Sequence, residues 1–169
     1  MDEKHSADTV YRLMDNKAEA IAAVAEVITC ATSEICIFDT TPAAMRDREF
    51  GRPARIDQLR QLLVANRQNR LRIVLQDTLA IESELPRLVS LQLLLPSQIH
   101  IHRATGAARE ARDVMIIADD AHFWRKPQFD HPRSILTLRE PIAAQAFIDR
   151  FAEIWENSEP AVSGGVAGL

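Results

Sequence analysis

Glycine is scarce, with five in 169 residues, and none stands in the Gly-x4-Gly-Lys-Ser/Thr spacing that cradles nucleotide phosphates. No Gly-x-Ser-x-Gly elbow occurs either, so a serine hydrolase of the α/β type is excluded. Two cysteines, Cys30 and Cys36, are too few for a disulfide scaffold and read as small, reduced, buried residues. No apolar run approaches the roughly 20 residues that a membrane span requires. The opening "MDEKHSADTV" is polar and acidic, with no apolar stretch behind it to act as a signal peptide. A cytoplasmic protein without a membrane span is expected.

A basic surplus is missing as well. The net charge is −4, which argues against a dedicated nucleic-acid binder. The distribution is uneven: residues 46 to 72 hold eight arginines against three acids. Nearly all the positive charge is arginine, the side chain suited to bidentate contacts with carboxylate or phosphate. That segment reads either as a solvated helix face or as a surface for an anion or a partner.

What is present is an ordinary globular composition, 47% hydrophobic and 26% charged, in a length that suits one domain. Ile21, Val24 and Ile28 recur at helical spacing after Asn16, and Val10, Leu13 and Met14 leave open whether that helix starts earlier. "EICIFD" is a continuous apolar run, as in a strand covered on both faces. A polar loop of about a dozen residues follows it, long enough to be a functional loop. Ile56, Leu59, Leu62 and Leu63 mark a helix, "RLRIVLQ" a strand, and "ESELPRLVSLQLLL" a helix with Pro86 near its start.

"QIHIHR" is the next strand, with His100 and His102 on one face. Their spacing specifies no third ligand, so neither a metal nor another cofactor is expected. "DVMIIAD" is a strand that turns through Asp119-Asp120 into "AHFWRK", and "RSILTLR" closes the set. Pro141 opens a final helix with a stripe of Phe147, Phe151, Ile154 and Trp155. The order predicts an α/β fold, a mixed β-sheet flanked by helices, parallel early and antiparallel late. The expected boundaries are an N-terminal segment at 1–15, the domain at 16–157 and a disordered tail at 158–169.

"RDVMIIAD", "AHFW", "RSILTLREP" and "AAQAFIDRFAEIWENS" follow one another as in one half of the phospholipase D superfamily, which this sequence resembles over about residues 18 to 157. "AEVITCATSEICIFD" and "LRIVLQD" look like the upstream elements of such a half. The family's enzymes carry His-x-Lys-x4-Asp on a strand. With Asp119 as the aspartate, the histidine position holds Arg112 and the lysine position Val114. Taking Asp120 instead gives Asp113 and Met115. Arginine stays charged and has no lone pair with which to attack phosphorus, and valine carries no charge for a phosphate. "RKPQFD" also lacks the family's Ser and Asn.

The resemblance therefore implies a degenerate motif and a domain without its catalysis. Single-half members commonly pair about a two-fold axis, which implies a homodimer in which two copies of the 112–131 region meet. Strand alternation puts His122, Trp124 and Lys126 on one face and Phe123 and Arg125 on the other. Geometry borrowed from the resemblance brings Arg112, Arg125, Lys126 and His131 together as a rim for an anionic, phosphate-containing ligand. Asp119 belongs to that candidate set, and it has a local alternative as the cap of a β-turn. A protein partner is the other occupant expected. The runner-up is a divergent phosphodiesterase or nuclease that recruits His122 or His131.

Overall fold

The computed structural model describes residues 8 to 161. Among them, eight strands form one sheet in the order β1-β7-β6-β5-β2-β3-β4-β8. The strands are β1 (Val10–Met14), β2 (Glu34–Asp39), β3 (Arg70–Leu75), β4 (Ile99–Ala104), β5 (Val114–Ala118), β6 (His122–Lys126), β7 (Ser134–Leu138) and β8 (Ser158–Pro160). β2, β3 and β4 run parallel, joined by helical crossovers. Every other neighbour is antiparallel. The mixed α/β sheet follows from the sequence pattern: helices separate the parallel strands, while short turns join β5, β6 and β7.

Six helices accompany the sheet among the described residues: α1 (Lys17–Cys30), α2 (Pro42–Asp47), α3 (Pro53–Ala65), α4 (Ile81–Glu84), α5 (Pro86–Leu94) and α6 (Pro141–Glu156). Asn16 caps α1 by accepting a hydrogen bond from the Glu19 N–H at 2.9 Å. Ala23, Val24 and Val27 of α1, Leu59 and Leu63 of α3, and Leu88 of α5 cover one face of the sheet. Ala144, Phe151 and Ile154 of α6 cover the other. Both faces are therefore apolar, which is why β2 and β5 read as unbroken hydrophobic runs. No described helix is long and apolar enough to cross a membrane.

The sheet reaches past the expected limits of 16 and 157 at both ends. Val10, Leu13 and Met14 lie on a strand rather than a helix, because β7 offers Val10–Met14 a full antiparallel register. Ser158–Pro160, expected in a disordered tail, add a short strand to β4. The expected long loop after β2 contains α2, capped by the Thr41 hydroxyl on the Ala44 N–H at 3.1 Å and started by Pro42. The stretch expected as one helix from Glu82 is two, since Leu85 leaves helical geometry ahead of Pro86. Residues 1–7 and 162–169 of the expected terminal segments lie outside the described residues.

Phe151 of α6 is buried in the cluster on the second face, its ring centre 6.0 Å from that of Trp155. Phe151→Ala is expected to lower unfolding stability by about 3–5 kcal/mol, read as a fall in the urea midpoint at unchanged slope.

Candidate functional site

The clusters on the two sheet faces fix where each side chain of β6 points. Trp124 belongs to the α1 face and Phe123 to the α6 face. Lys126 thus shares the Trp124 face, and Arg125 lies on the other, its guanidinium 4.8 Å from the Phe147 ring centre. The four side chains expected to converge do not all do so: Arg125 is separated from Lys126 by the thickness of the sheet.

The remaining candidates occupy different positions. Arg112 precedes β5 and donates to Gln128 Oε1 at 2.8 Å and to Asp130 Oδ2 at 2.7 Å. Its guanidinium also lies 4.9 Å from the Phe129 ring, so Arg112 pins the loop between β6 and β7. His131 is exposed in that loop, where its N–H donates to the Gln128 carbonyl at 3.0 Å. His122 opens β6, and its Nδ1 accepts from the Arg139 N–H at 3.0 Å. Burial, followed by the Arg139 charge, holds its imidazole below the ordinary histidine range against the pull of Asp119 and Asp120. Four residues of strand, about 13 Å, separate His122 from Lys126.

Asp119 works locally. It sits at φ 55°, a left-handed conformation that aspartate tolerates in turns. Its carboxylate accepts from the N–H groups of Thr32, Ser33 and Glu34 at 3.0, 2.8 and 3.1 Å. The hydroxyls of Thr32 and Ser33 add two more hydrogen bonds, at 3.0 and 2.9 Å. Burial raises its pKa, but these donors outweigh burial and hold the carboxyl below the usual range.

The side chains that do gather are on the α1 face. A cleft of about 350 Å³ lies between α1, the end of β2, α2 and the β6–β7 loop, with Lys126, Arg48, Trp124, Lys17 and Phe129 in its walls. Asp39, at the end of β2, is 1% exposed, and its charge is met by Arg48 through Nε–Oδ2 at 2.8 Å and Nη2–Oδ1 at 3.3 Å. The same guanidinium lies 5.0 Å from the Trp124 ring centre. A bidentate pair stacked on an indole is rigid, so Arg48 has a fixed position.

Lys126 makes no hydrogen bond or ion pair with the described residues. Burial and the neighbouring Arg48 charge push its pKa down, partly offset by Asp39 and Asp130. It stands directly opposite Val114 in the β5–β6 register, and Val114 is fully buried. Arg125 pairs with Ile135, so Ser134 flanks Lys126 one step further along β7. The Ser134 hydroxyl and the Trp124 indole N–H are both buried without a hydrogen-bond partner. Arrays of this kind suit an anion: a cation without a partner, a second cation held in place, and two donors not yet used.

The sequence singled out Lys126 but neither Arg48 nor Lys17, which line the same cleft, nor Ser134, which follows Lys126 across the ladder. Thr41-Pro42 is a helix-start signature that marks α2, and α2 is what carries Arg48 to Asp39. His100 and His102 do share a strand face, but His102 stacks on Trp155 at 3.8 Å and meets the Ser158 hydroxyl at 2.8 Å. Among the described residues no three His, Cys, Asp or Glu side chains are grouped to hold a metal ion.

Asp119→Ala is expected to cost about 1–2 kcal/mol, since it removes the acceptor of several N–H groups, two of which belong to the exposed Thr32 and Ser33. Because the folded carboxyl titrates below its unfolded value, near 3.9, its stabilisation is complete above that value. The contribution is lost as the pH falls through the folded pKa. Asp119→Asn should therefore flatten the acid side of the stability curve, measured by urea unfolding between pH 6 and pH 2.

No curated protein matches the chain. Among solved structures, Nuc from Salmonella typhimurium, a phospholipase D family member, is 12% identical over 92% of this chain and 100% of its own, with a TM-score of 0.58. NucT from Helicobacter pylori is 11% identical over 91% and 100%, at 0.59. TrmBL2, an archaeal chromatin protein with a novel mode of DNA binding, is 14% identical at 0.60. The match covers 89% of this chain, which spans about half of the TrmBL2 chain (54%). These likenesses show the fold, which is phospholipase D-like. One family model, described as "Domain of unknown function (DUF7931)", matches residues 16–163. The chain belongs to the DUF7931 family.

Proposed function

We propose that this domain is a non-catalytic phospholipase D-like module that works as a homodimer and binds a phosphate-containing anion in the cleft between α1, α2 and the β6–β7 loop. The observation that carries the reading is the pairing of Val114 with Lys126. Where the family motif calls for lysine there is a buried valine, and the residue directly across the ladder is a lysine without an ion pair. The motif's histidine position holds Arg112, whose guanidinium is occupied by Gln128 and Asp130. A group that is always charged and has no free lone pair cannot attack phosphorus. Attraction for an anion survives such a replacement, but nucleophilic catalysis does not.

Of the residues expected at the site, Lys126 lines the cleft, whereas Arg112 is bonded to the β6–β7 loop and His131 lies in it, neither in the cleft's walls. Asp119 supports the fold, and Arg125 faces α6. The divergent-hydrolase alternative needs His122 or His131 beside the bound phosphate. His122 is at the far end of β6, its Nδ1 already accepting from Arg139.

Calorimetric titration with inorganic phosphate and with adenosine monophosphate tests the binding. Lys126→Ala should weaken it at least tenfold, while Arg125→Ala should leave it unchanged. Absence of binding at millimolar ligand, or equal affinity in Lys126→Ala, would overturn the site. No turnover of bis(p-nitrophenyl) phosphate is expected with or without divalent metal. Turnover that disappears in His131→Ala would favour the hydrolase instead.

A further inference from the structure

The sheet ends differently at its two edges. β8 is three residues long and includes Pro160, which has no N–H to offer a further strand. β1, at the opposite edge, is a five-residue strand of Val-Tyr-Arg-Leu-Met without proline, in continuous register with β7. Among the described residues nothing pairs with its outer side. Tyr11 and Leu13 are 66% and 54% exposed. The one charged residue, Arg12, is on the α1 face and is ion-paired with Glu26 at 2.7 Å. Edge strands are usually blunted by brevity, proline, a bulge or a free charge. β8 has the first two of these; β1 has none of them.

The sheet surface beside this edge is also open. Helix α6 packs over β4, β5 and β6. Tyr11 and Ile135 instead form one side of a groove of about 280 Å³, with Ala143 and Phe147 of α6 on the other. An unpaired edge and an uncovered apolar face thus meet at the same strand.

We infer that a second copy of this chain covers the edge, with β1 of each copy pairing antiparallel about a two-fold axis at Arg12. The inference rests on the homodimer reading above and gives it a register and a surface, the β1 edge in place of the 112–131 region that the family resemblance implies. A two-fold axis perpendicular to the sheet keeps each face on its own side, so only residues of the same face can be opposite one another. Centring on Arg12 pairs all five residues. Val10 then meets the partner's Met14, and Tyr11 meets the partner's Leu13, each contact occurring twice. Aromatic–aliphatic pairs of this kind stabilise antiparallel ladders. The two Arg12 side chains meet at the axis with their charges already balanced by Glu26 on their own α1. The strand is its own complement, which is what distinguishes a second copy from an unrelated strand. The two open grooves come side by side on the α6 face of one continuous sheet, while the Lys126 cleft opens on the other.

Cysteine at the axis gives the direct test. In either phase of an antiparallel ladder, opposed Cα atoms are about 4.5–5.5 Å apart, within disulfide reach. In a Cys30→Ser background, Arg12→Cys should oxidise to a covalent dimer, whereas Leu93→Cys, on exposed α5, should not. Light scattering at tens of micromolar should return twice the 19.0 kDa of the chain. Tyr11→Lys/Leu13→Lys should weaken the dimer at least tenfold, with circular dichroism unchanged because both side chains are exposed. A dimer that neither cross-links at position 12 nor responds to the lysine pair overturns the edge and leaves the homodimer standing. A monomeric wild type overturns both. Phosphate affinity should be the same in the lysine pair as in the wild type, which separates this inference from the anion site.

Discussion

The pairing of β2 with β5 is the seam of the molecule. On one side of it β2, β3 and β4 run parallel and are joined by helices, with β8 antiparallel at the edge; on the other β5, β6 and β7 run antiparallel with no helix between them. The Asp119 carboxylate fastens that seam at its end. It gathers three backbone N–H groups and two hydroxyls from the turn that leads into β2, while its own N–H donates to the Glu34 carbonyl at 2.8 Å. A single side chain thus orients the β5–β6 turn, keeps the register of the central strands and gathers the donors of the turn that enters β2. The side chains of the cleft depend on that register, because Lys126 faces Val114 only if β5 and β6 pair as they do.

Asp39 and Arg48 play the corresponding part on the cleft side. A buried carboxylate is costly unless a partner meets its charge with good geometry. Here a bidentate guanidinium does so, and its other face is against Trp124. The result is a positive group held without freedom to swing, beside a lysine whose ammonium has no partner among the described residues. Rigid and unoccupied charge together are what distinguish this cleft from the exposed Arg60 of α3, and from Arg112, whose donors are already used in closing the β6–β7 loop.

Much of this fold was legible in the residues. Unbroken apolar runs at 34–39 and 114–118 announced strands covered on both faces, and alternation along "HFWRK" sorted Trp124 from Phe123 correctly. The misses have physical reasons. Val10, Leu13 and Met14 have the spacing of a helix as well as the character of a strand, and only the edge of β7 decides between them. Ser158–Pro160 has no strand pattern at all; it pairs because β4 leaves an edge within reach of the end of α6. The site was less legible than the fold. Lys126 and Arg48 are far apart in the chain, and no local pattern tells that α2 will fold Arg48 back onto Asp39. Arg125 joins Lys126 in the expected set through geometry borrowed from the family resemblance, although alternation already puts them on opposite faces.

The Val114–Lys126 pair has a consequence for how such domains are compared. Residues directly opposed on neighbouring strands share nearly the same place in space but are distant in the linear text. A charged group can therefore disappear from one strand and be supplied by the next with little change in where it stands. A motif read along the chain records that event as a loss, whereas a comparison made across the rungs of the ladder records it as a relocation.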